Sequence, residues 1–309
     1  APVMRHPLVL PARELFLTVN PEARVCLFPI VAGFVGADAV GVALATRIAE
    51  TPDLRIAVDI GTNGEVLLGS RDRLWACSAP AGPALEGAQL RHGMRGALGA
   101  IDRVWLEDGD LRVHTIGDAP AQGICGSGVI DAIAVLLDTG AVDWMGLIAV
   151  EERDRLPAPL RERVGVRGEE RVVILVRPGE GDAPREILLT QDDIRQVQLC
   201  KGAIASGTAM LQRIAGVAPE QVSELMLAGG FGNYLSIRSA LRIGLIPPLP
   251  ASRIRYVGNA AALGAQLALM SEAERARADR IARRIEHVSL AAHPDFQDVF
   301  VDSMNFPRT

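Results

Sequence analysis

The sequence has 309 residues, of which 49% are hydrophobic and 22% charged, and its net charge is −5. A chain of this length and apolar content has room for about two domains and excludes wholesale disorder. Nucleic-acid binding is disfavoured, because such proteins are usually basic and stack bases on aromatic side chains, which here make up only 4%.

The longest apolar stretch, residues 25–46, is long enough to span a membrane. Asp38 at its centre, together with Pro29 and several glycines, favours a buried strand, a glycine loop and a buried helix instead. Residues 1–20 carry no signal-peptide pattern. The cysteines lack the spacing of metal or redox motifs, which predicts buried thiols in a cytoplasmic protein without membrane contact. They are Cys26, Cys77, Cys125 and Cys200.

Hydrophobic periodicity and turn residues predict strands that alternate with helices along the chain. In the first half the predicted strands are 24–31, 55–60 and 65–68, with a hairpin of 104–107 and 111–115, and the predicted helices are 38–50 and 129–137. In the second half the predicted strands are 171–176, 186–189, 224–228 and 256–258, and the predicted helices are 191–214, 260–270 and 272–284. Thr190 with Asp193, and Ser271 with Glu274, form the pattern of a capping box. The succession predicts an α/β fold of mixed sheets with helical cover.

The strongest local motif is Val58–Glu65, with the sequence VDIGTNGE. A strand delivers Asp59 to its end, and the following glycines allow a tight turn whose backbone amides, with the Thr62 hydroxyl, can hold phosphate oxygens. Asp59 would then hold Mg²⁺ through water. The alternative is an ordinary hairpin, because Asn-Gly between apolar runs is a common turn signal.

A second motif, Leu227–Tyr234 (LAGGFGNY), places glycines at a strand end, where a flat ligand can approach the backbone. It lacks the third glycine of a dinucleotide fingerprint, and a simple turn is the alternative. Asp38 reads either as a helix N-cap or as a carboxylate that orients water or Mg²⁺. Ser127 reads as an N-cap, although helix N-termini also attract anions. Lys201 either extends along an apolar surface or reaches a nucleotide.

The order of these pieces resembles the acetate kinase/sugar kinase/Hsp70/actin superfamily. That resemblance implies ribonuclease H-like mixed sheets in a two-lobed architecture, of which the first lobe is expected to be incomplete here. The motifs DIGTNGE, AGPALEG, GMR, GICGSGVID, LAGGFGNYL, VGNA and HPDFQD, which begin at residues 59, 81, 93, 123, 227, 257 and 293, narrow it further. Together they resemble the C-terminal ATPase region of reductive activators of corrinoid proteins. In that family ATP helps to reduce a Co(II) corrinoid to Co(I).

The resemblance implies ATP and Mg²⁺ as cofactors and a role for particular residues. Asp38 and Asp59 would be catalytic, with Asp59 also holding Mg²⁺ through water. Glu86 and Arg95 would belong to the surface for the corrinoid of the partner. The nucleotide contacts would be Gly61, Thr62, Asn63, Gly64, Lys201, Gly229, Gly230, Gly232 and Asn233.

The resemblance also divides the chain. Residues 1–50 would end the first lobe with its connecting helix, 51–270 would form the nucleotide-binding lobe with a charged insertion at 146–190, and 271–309 would form a C-terminal helix and tail. The first phosphate loop and a [2Fe-2S] domain are expected upstream, so the isolated chain is expected to hydrolyse ATP weakly at most. The expected partner is a corrinoid-carrying methyltransferase or corrinoid protein, and a homodimer is possible. The alternatives are a small-molecule kinase and a non-catalytic, nucleotide-regulated binding module.

Overall fold

The computed structural model describes residues 6–230 and 234–308, which form mixed sheets covered by helices. The strands of the first half are β1 (Leu8–Pro11), β2 (Arg24–Leu27), β3 (Arg55–Ile60), β4 (Gly64–Gly69), β5 (Leu74–Ala79), β6 (Ala100–Glu107), β7 (Asp110–Thr115) and β8 (Gly123–Ile124). Those of the second half are β9 (Val164–Arg167), β10 (Glu170–Val176), β11 (Ile187–Thr190), β12 (Glu224–Ala228), β13 (Ile254–Gly258) and β14 (Ile285–His287).

The α-helices lie mostly between the strands and at the C-terminal end. They are α1 (Ala37–Thr46), α2 (Gly126–Thr139), α3 (Ala158–Arg161), α4 (Gln191–Ala215), α5 (Ile237–Arg242), α6 (Ala260–Met270), α7 (Glu272–Arg284) and α8 (Phe296–Met304). Within the described ranges, none of these helices has the combination of length and apolar character that crossing a membrane requires.

A six-stranded sheet in the order β13-β12-β3-β4-β5-β14 forms the centre of the molecule. β13 and β12 run parallel to β3, whereas β4 is antiparallel to β3 and to β5. Because β3 and β12 are parallel neighbours, their carboxyl ends meet at one edge of the sheet, with Asp59 opposite Ala228. This pairing brings the two glycine motifs of the sequence together.

Helices cover both faces of this sheet. On one face α1 packs against α6 and α7, and on the other α4 lies across β4 and β5 and is covered by α8. The crossing of α1 and α6 is a backbone contact, since a Cβ atom at Gly264 would lie 2.1 Å from the carbonyl oxygen of Gly41. The two glycines therefore fix how closely these helices approach.

Two small sheets, β7-β6-β8 and β11-β10-β9, extend from the six-stranded sheet. The second lies in the charged region 146–190, and its inner side contributes Val164, Val173 and Leu175 to the main core. Its other side carries a separate buried apolar cluster of Val172, Ile174 and Leu188. Arg163, although only 1% exposed, is paired with Asp110 of β7. The charged segment is thus packed onto the rest of the chain through one face.

Most predicted elements are confirmed, and several match to the residue, including β3, β12 and α6. The 190–193 capping box is present at α4. The predicted cap at Asp38 is wrong: Gly36 occupies the N-cap, and Asp38 is the second residue of α1. Ser127 likewise lies inside α2, whose N-cap is Cys125. The predicted tail is also structured, because β14 extends the central sheet beside β5.

Candidate functional site

The turn between β3 and β4 forms the centre of the site. Asp59 is the penultimate residue of β3 and faces Glu65 across the antiparallel ladder. The amide of Gly61 donates to the carbonyl of Asn63 at 3.0 Å and closes the turn. Gly64 lies against Ile204 of α4, where a Cβ atom would approach the Ile204 side chain to 2.7 Å. The predicted hairpin and the predicted phosphate loop are therefore the same structure.

Gly229 packs directly on this turn from the end of β12. Its φ of +96° is disfavoured for other residues, and a Cβ atom there would lie 2.6 Å from the Ile60 carbonyl and 2.8 Å from Oδ1 of Asp59. Its amide donates to the carbonyl of Gly258 at 3.0 Å. The two glycine motifs are thus in contact. Gly232 and Asn233 lie outside the described residues.

Three carboxylates influence one another at this edge of the sheet. Burial raises the pKa of Asp59 to about 6, with a further contribution from Asp38. Burial and then Asp38 raise the pKa of Glu65 to about 7, against the effect of the Ser78 hydroxyl, which donates to it at 3.1 Å. Asp38 itself accepts a hydrogen bond from the amide of Ala39 at 2.7 Å. Like charges held close together favour a bound cation.

These carboxylates do not form a direct multidentate site. Among residues 6–230 and 234–308, no group of three or more His, Cys, Asp or Glu side chains is arranged to hold a metal ion. Mg²⁺ nevertheless needs few protein ligands, because it keeps several waters and takes further oxygens from phosphates. The hard oxygen donors at Asp59, with Asp38 nearby, fit that mode of binding.

A cleft of about 630 Å³ opens beside the turn. Glu86 lines the cleft and accepts a hydrogen bond from the Thr62 hydroxyl, so the cleft is connected to the turn. Arg95 and Gly230 also line it. Glu86 and Arg95, which the sequence assigned to a partner surface, therefore lie in the same cleft as the second glycine motif.

The cleft contains polar residues that the sequence analysis did not select. Nδ1 of His114 lies 2.6 Å from Oδ1 of Asp102, and both side chains line the cleft. Ser127, for which the sequence offered an N-cap or an anion-binding helix start, and Tyr234 of the second glycine motif also line the cleft. Glu65 was also missed as a titrating group, although its strand alternation with Asp59 across a short turn was a usable signal. No local pattern marks the Asp102–His114 pair, because it depends on strand pairing.

Lys201 lies in a different environment from the turn. It is 1% exposed, its ammonium donates to the carbonyl of Asn305, and it is 5.3 Å from the ring centroid of Phe306. It lines a second cleft, with Trp144 and Phe306, that shares no lining residue with the cleft of Glu86 and Arg95. Burial lowers the pKa of Lys201 to about 7. The structure does not bring Lys201 to the predicted nucleotide contacts, because the C-terminal residues cover it.

Comparison with known proteins identifies two matching family models. Residues 53–309 match the C-terminal domain of RACo, the ASKHA domain, and residues 1–51 match the RACo middle region. The chain is 38% identical over 292 residues to the corrinoid activation enzyme RamQ of Eubacterium limosum, covering 94% of this chain and 49% of that protein.

Two further proteins that are similar to this chain are also a corrinoid protein reductase and a reductive activator by name. The [Co(II) methylated amine-specific corrinoid protein] reductase of Methanosarcina barkeri is 26% identical, with 98% of this chain and 56% of that protein covered. The solved structure of a reductive activator for corrinoid, iron-sulfur protein superposes with a TM-score of 0.89 at 34% identity, covering 99% of this chain and 48% of that one. The chain thus spans about half the length of these relatives.

Proposed function

Because this chain belongs to the RACo family and has its ASKHA-type fold, we propose that it is the ATP-binding part of a reductive activator of a corrinoid protein. The observation that carries the proposal is the contact of Gly229 with Asp59 and Ile60, which joins the phosphate turn to the second glycine motif. An open cleft of about 630 Å³, with Gly230 and Glu86 in its lining, lies beside this junction and has room for a nucleotide.

The triphosphate would lie at the 61–64 turn. Backbone amides of a tight turn and the Thr62 hydroxyl are suitable donors to phosphate oxygens. Close approach is possible at Gly61, which carries no side chain, whereas the missing side chain at Gly64 leaves space for Ile204 of α4. The nucleoside would extend into the cleft past Gly230, which carries no side chain on that wall.

The carboxylates would bind the cation and orient water molecules beside the phosphates. Asp59 would hold Mg²⁺ through water, and Asp38 would orient water from the start of α1. Bound Mg²⁺ would supply charge neutralisation of the phosphates. Glu65, whose pKa is raised to about 7, would exchange a proton with water close to neutral pH.

The partner would be a corrinoid protein, and a corrinoid-carrying methyltransferase is the finer form of this proposal. Reduction of Co(II) to Co(I) takes one electron, which would come from a low-potential iron–sulfur donor. ATP binding would change how α1 and α6 are held, since Asp38 of α1 acts on Asp59 and the Gly258 carbonyl, just before α6, accepts from Gly229. That change would favour the complex in which cobalt accepts the electron.

The test measures the loss of Co(II) directly. The purified protein is mixed with a corrinoid protein in the Co(II) state and a low-potential one-electron reductant, and the Co(II) electron paramagnetic resonance signal is recorded with and without Mg-ATP. We expect the signal to decline faster with ATP, and Asp59→Asn to remove the acceleration. An ATP-dependent complex with an unchanged signal would favour the nucleotide-regulated binding module, and phosphate transfer to a small molecule would favour a kinase.

A further inference from the structure

The Asp102–His114 pair occupies an irregular point in the small sheet beside the cleft. β6 and β7 pair Ile101 with Thr115 and Arg103 with His114, so Asp102 is an extra residue on β6. Such a bulge redirects the side chain of the inserted residue. Here it brings the Asp102 carboxylate to within 2.6 Å of Nδ1 of His114. The bulge therefore builds the pair.

The pair leaves one ring nitrogen of His114 for another partner. A carboxylate that accepts from Nδ1 fixes the orientation and protonation pattern of the ring, and Nε2 then becomes the free position. Nε2 lies 3.5 Å from Oδ1 of Asp118, whose side chain is 92% exposed. A polar contact to a side chain this exposed contributes little, so a ligand group can replace it.

The surroundings of His114 suit the nucleoside part of a nucleotide rather than its phosphates. The phosphate end of the cleft is marked by the Thr62–Glu86 hydrogen bond on the central sheet. His114 belongs to the small sheet β7-β6-β8. Leu85, Ile116 and the exposed ring of Tyr234 line the cleft around it. Apolar and aromatic surfaces of this kind accept a flat base, and a few polar groups then orient it.

We propose that His114, oriented by Asp102, hydrogen-bonds the nucleoside of a purine nucleoside triphosphate bound in this cleft. The proposal rests on the proposed function, because it names a further contact within the same site. Asp102 is a positioning residue that acts through the imidazole. The Nε2 atom would exchange its contact with Asp118 for a ribose hydroxyl or a polar group on the base.

Calorimetry with two ligands tests this assignment. Mg-ATP and Mg-tripolyphosphate, which lacks a nucleoside, are titrated into wild type, His114→Gln and Asp102→Asn. We expect His114→Gln to weaken ATP binding up to about tenfold, the effect of losing one hydrogen bond. Tripolyphosphate affinity should remain within about twofold of wild type. Asp102→Asn should cause a smaller loss of the same selectivity.

A control variant at another histidine and the second ligand distinguish a nucleoside contact from a structural role of His114. His287→Gln changes a histidine on β14, at the far edge of the six-stranded sheet, and should affect neither ligand. A merely structural role for His114 would lower both affinities together, and that result would overturn the assignment, as would unchanged ATP binding. If wild type binds neither ligand, the proposed function itself fails.

Discussion

Buried charged groups at the Asp59 edge of the central sheet and on the covered face of α4 have pKa values shifted in opposite directions. At the edge, Asp59 and Glu65 are held near other acidic groups beside an open cleft, and their pKa values rise. On α4, Lys201 is enclosed by the C-terminal residues and forms no ion pair within residues 6–230 and 234–308, and its pKa falls. In both places burial is the largest cause of the shift.

The two regions also differ in whether the buried charged group is available to a ligand. Asp59 and Glu65 lie opposite each other beside the β3–β4 turn, whose Thr62 is hydrogen-bonded to Glu86 of the cleft. The Lys201 ammonium instead donates to the Asn305 carbonyl of the chain's own backbone. The C-terminal residues around it are held by further contacts: Phe306 donates to the Trp144 carbonyl at 2.8 Å, and the Arg308 guanidinium lies 3.9 Å from the Trp144 ring centroid. We therefore assign the carboxylates to function and Lys201 to structure.

The largest effect is expected from Gly229→Ala. The new Cβ atom would collide with the Ile60 carbonyl and Asp59, and the left-handed backbone adds strain. We expect the free energy of unfolding to fall by about 2 kcal/mol or more, with loss of measurable Mg-ATP binding. Urea denaturation and calorimetry provide the two readouts.

Its control is Gly165→Ala on β9, where no heavy atom lies within 4 Å of the added Cβ atom. That change should alter the free energy of unfolding by less than about 0.5 kcal/mol. Equal stability and ATP affinity in both variants would contradict the packing described at Gly229.

Asp59→Asn should act on the ligand more than on the fold. The amide keeps the shape of the side chain and removes one of the like charges, so stability should be retained or increased. We expect Mg-ATP affinity to fall about 10- to 100-fold, because a charged interaction is lost. Asp53→Asn, at the opposite, exposed end of β3, should leave affinity unchanged. Similar losses in both variants would argue against a role specific to Asp59.

Lys201→Met should change stability and leave nucleotide affinity alone. In the unfolded chain the lysine pKa is about 10.4, whereas in the folded protein it is about 7. Between these pH values the unfolded state binds more protons, so wild-type stability should rise with pH from 7 to about 10, and the cost of the buried ammonium is fully present below pH 7. The variant should flatten this slope and gain about 1 kcal/mol at pH 7.

The sequence makes the pKa of this group directly measurable, since Lys201 is its only lysine. Reductive methylation with labelled formaldehyde, followed by NMR, would report one side-chain amine. A titration midpoint near 10 would contradict the burial of an unpaired ammonium, and weaker ATP binding in Lys201→Met would restore the lysine to the nucleotide site.

The smallest effect is expected from Thr62→Val, which removes the hydroxyl that joins the turn to Glu86. Mg-ATP affinity should fall about three- to tenfold, the range of one neutral hydrogen bond. Thr139→Val, at the last turn of α2, loses a comparable hydroxyl far along that helix from the cleft and should not change affinity. Tighter binding in Thr62→Val would mean that the Thr62–Glu86 contact competes with the ligand.

The local sequence was sufficient to predict turns and helix caps, because these depend on a few neighbouring residues. The Asp108–Gly109 turn, both with positive φ, and the 190–193 capping box follow from short patterns and are present as predicted. The glycines and the Asn-Gly pair of residues 61–64 predicted the turn between β3 and β4, which is present, and its role in binding phosphate stays a prediction. The sequence predicted a nucleotide contact for Lys201. The spacing of apolar residues in a helix shows which face is buried, but it does not show which distant segment covers that face. The Asp102–His114 pair was missed because a bulge in strand pairing creates it.

Hydrogen–deuterium exchange with and without Mg-ATP compares the two regions in one measurement. The account predicts slower exchange in the 59–65 turn, in 84–96, in the first turn of α2 and at Gly229–Gly230. It predicts no change in α8 and residues 304–308 around Lys201. Protection concentrated at the C-terminal residues, with the 59–65 turn unaffected while ATP is bound, would contradict the assignment of the nucleotide to the carboxylate edge of the sheet.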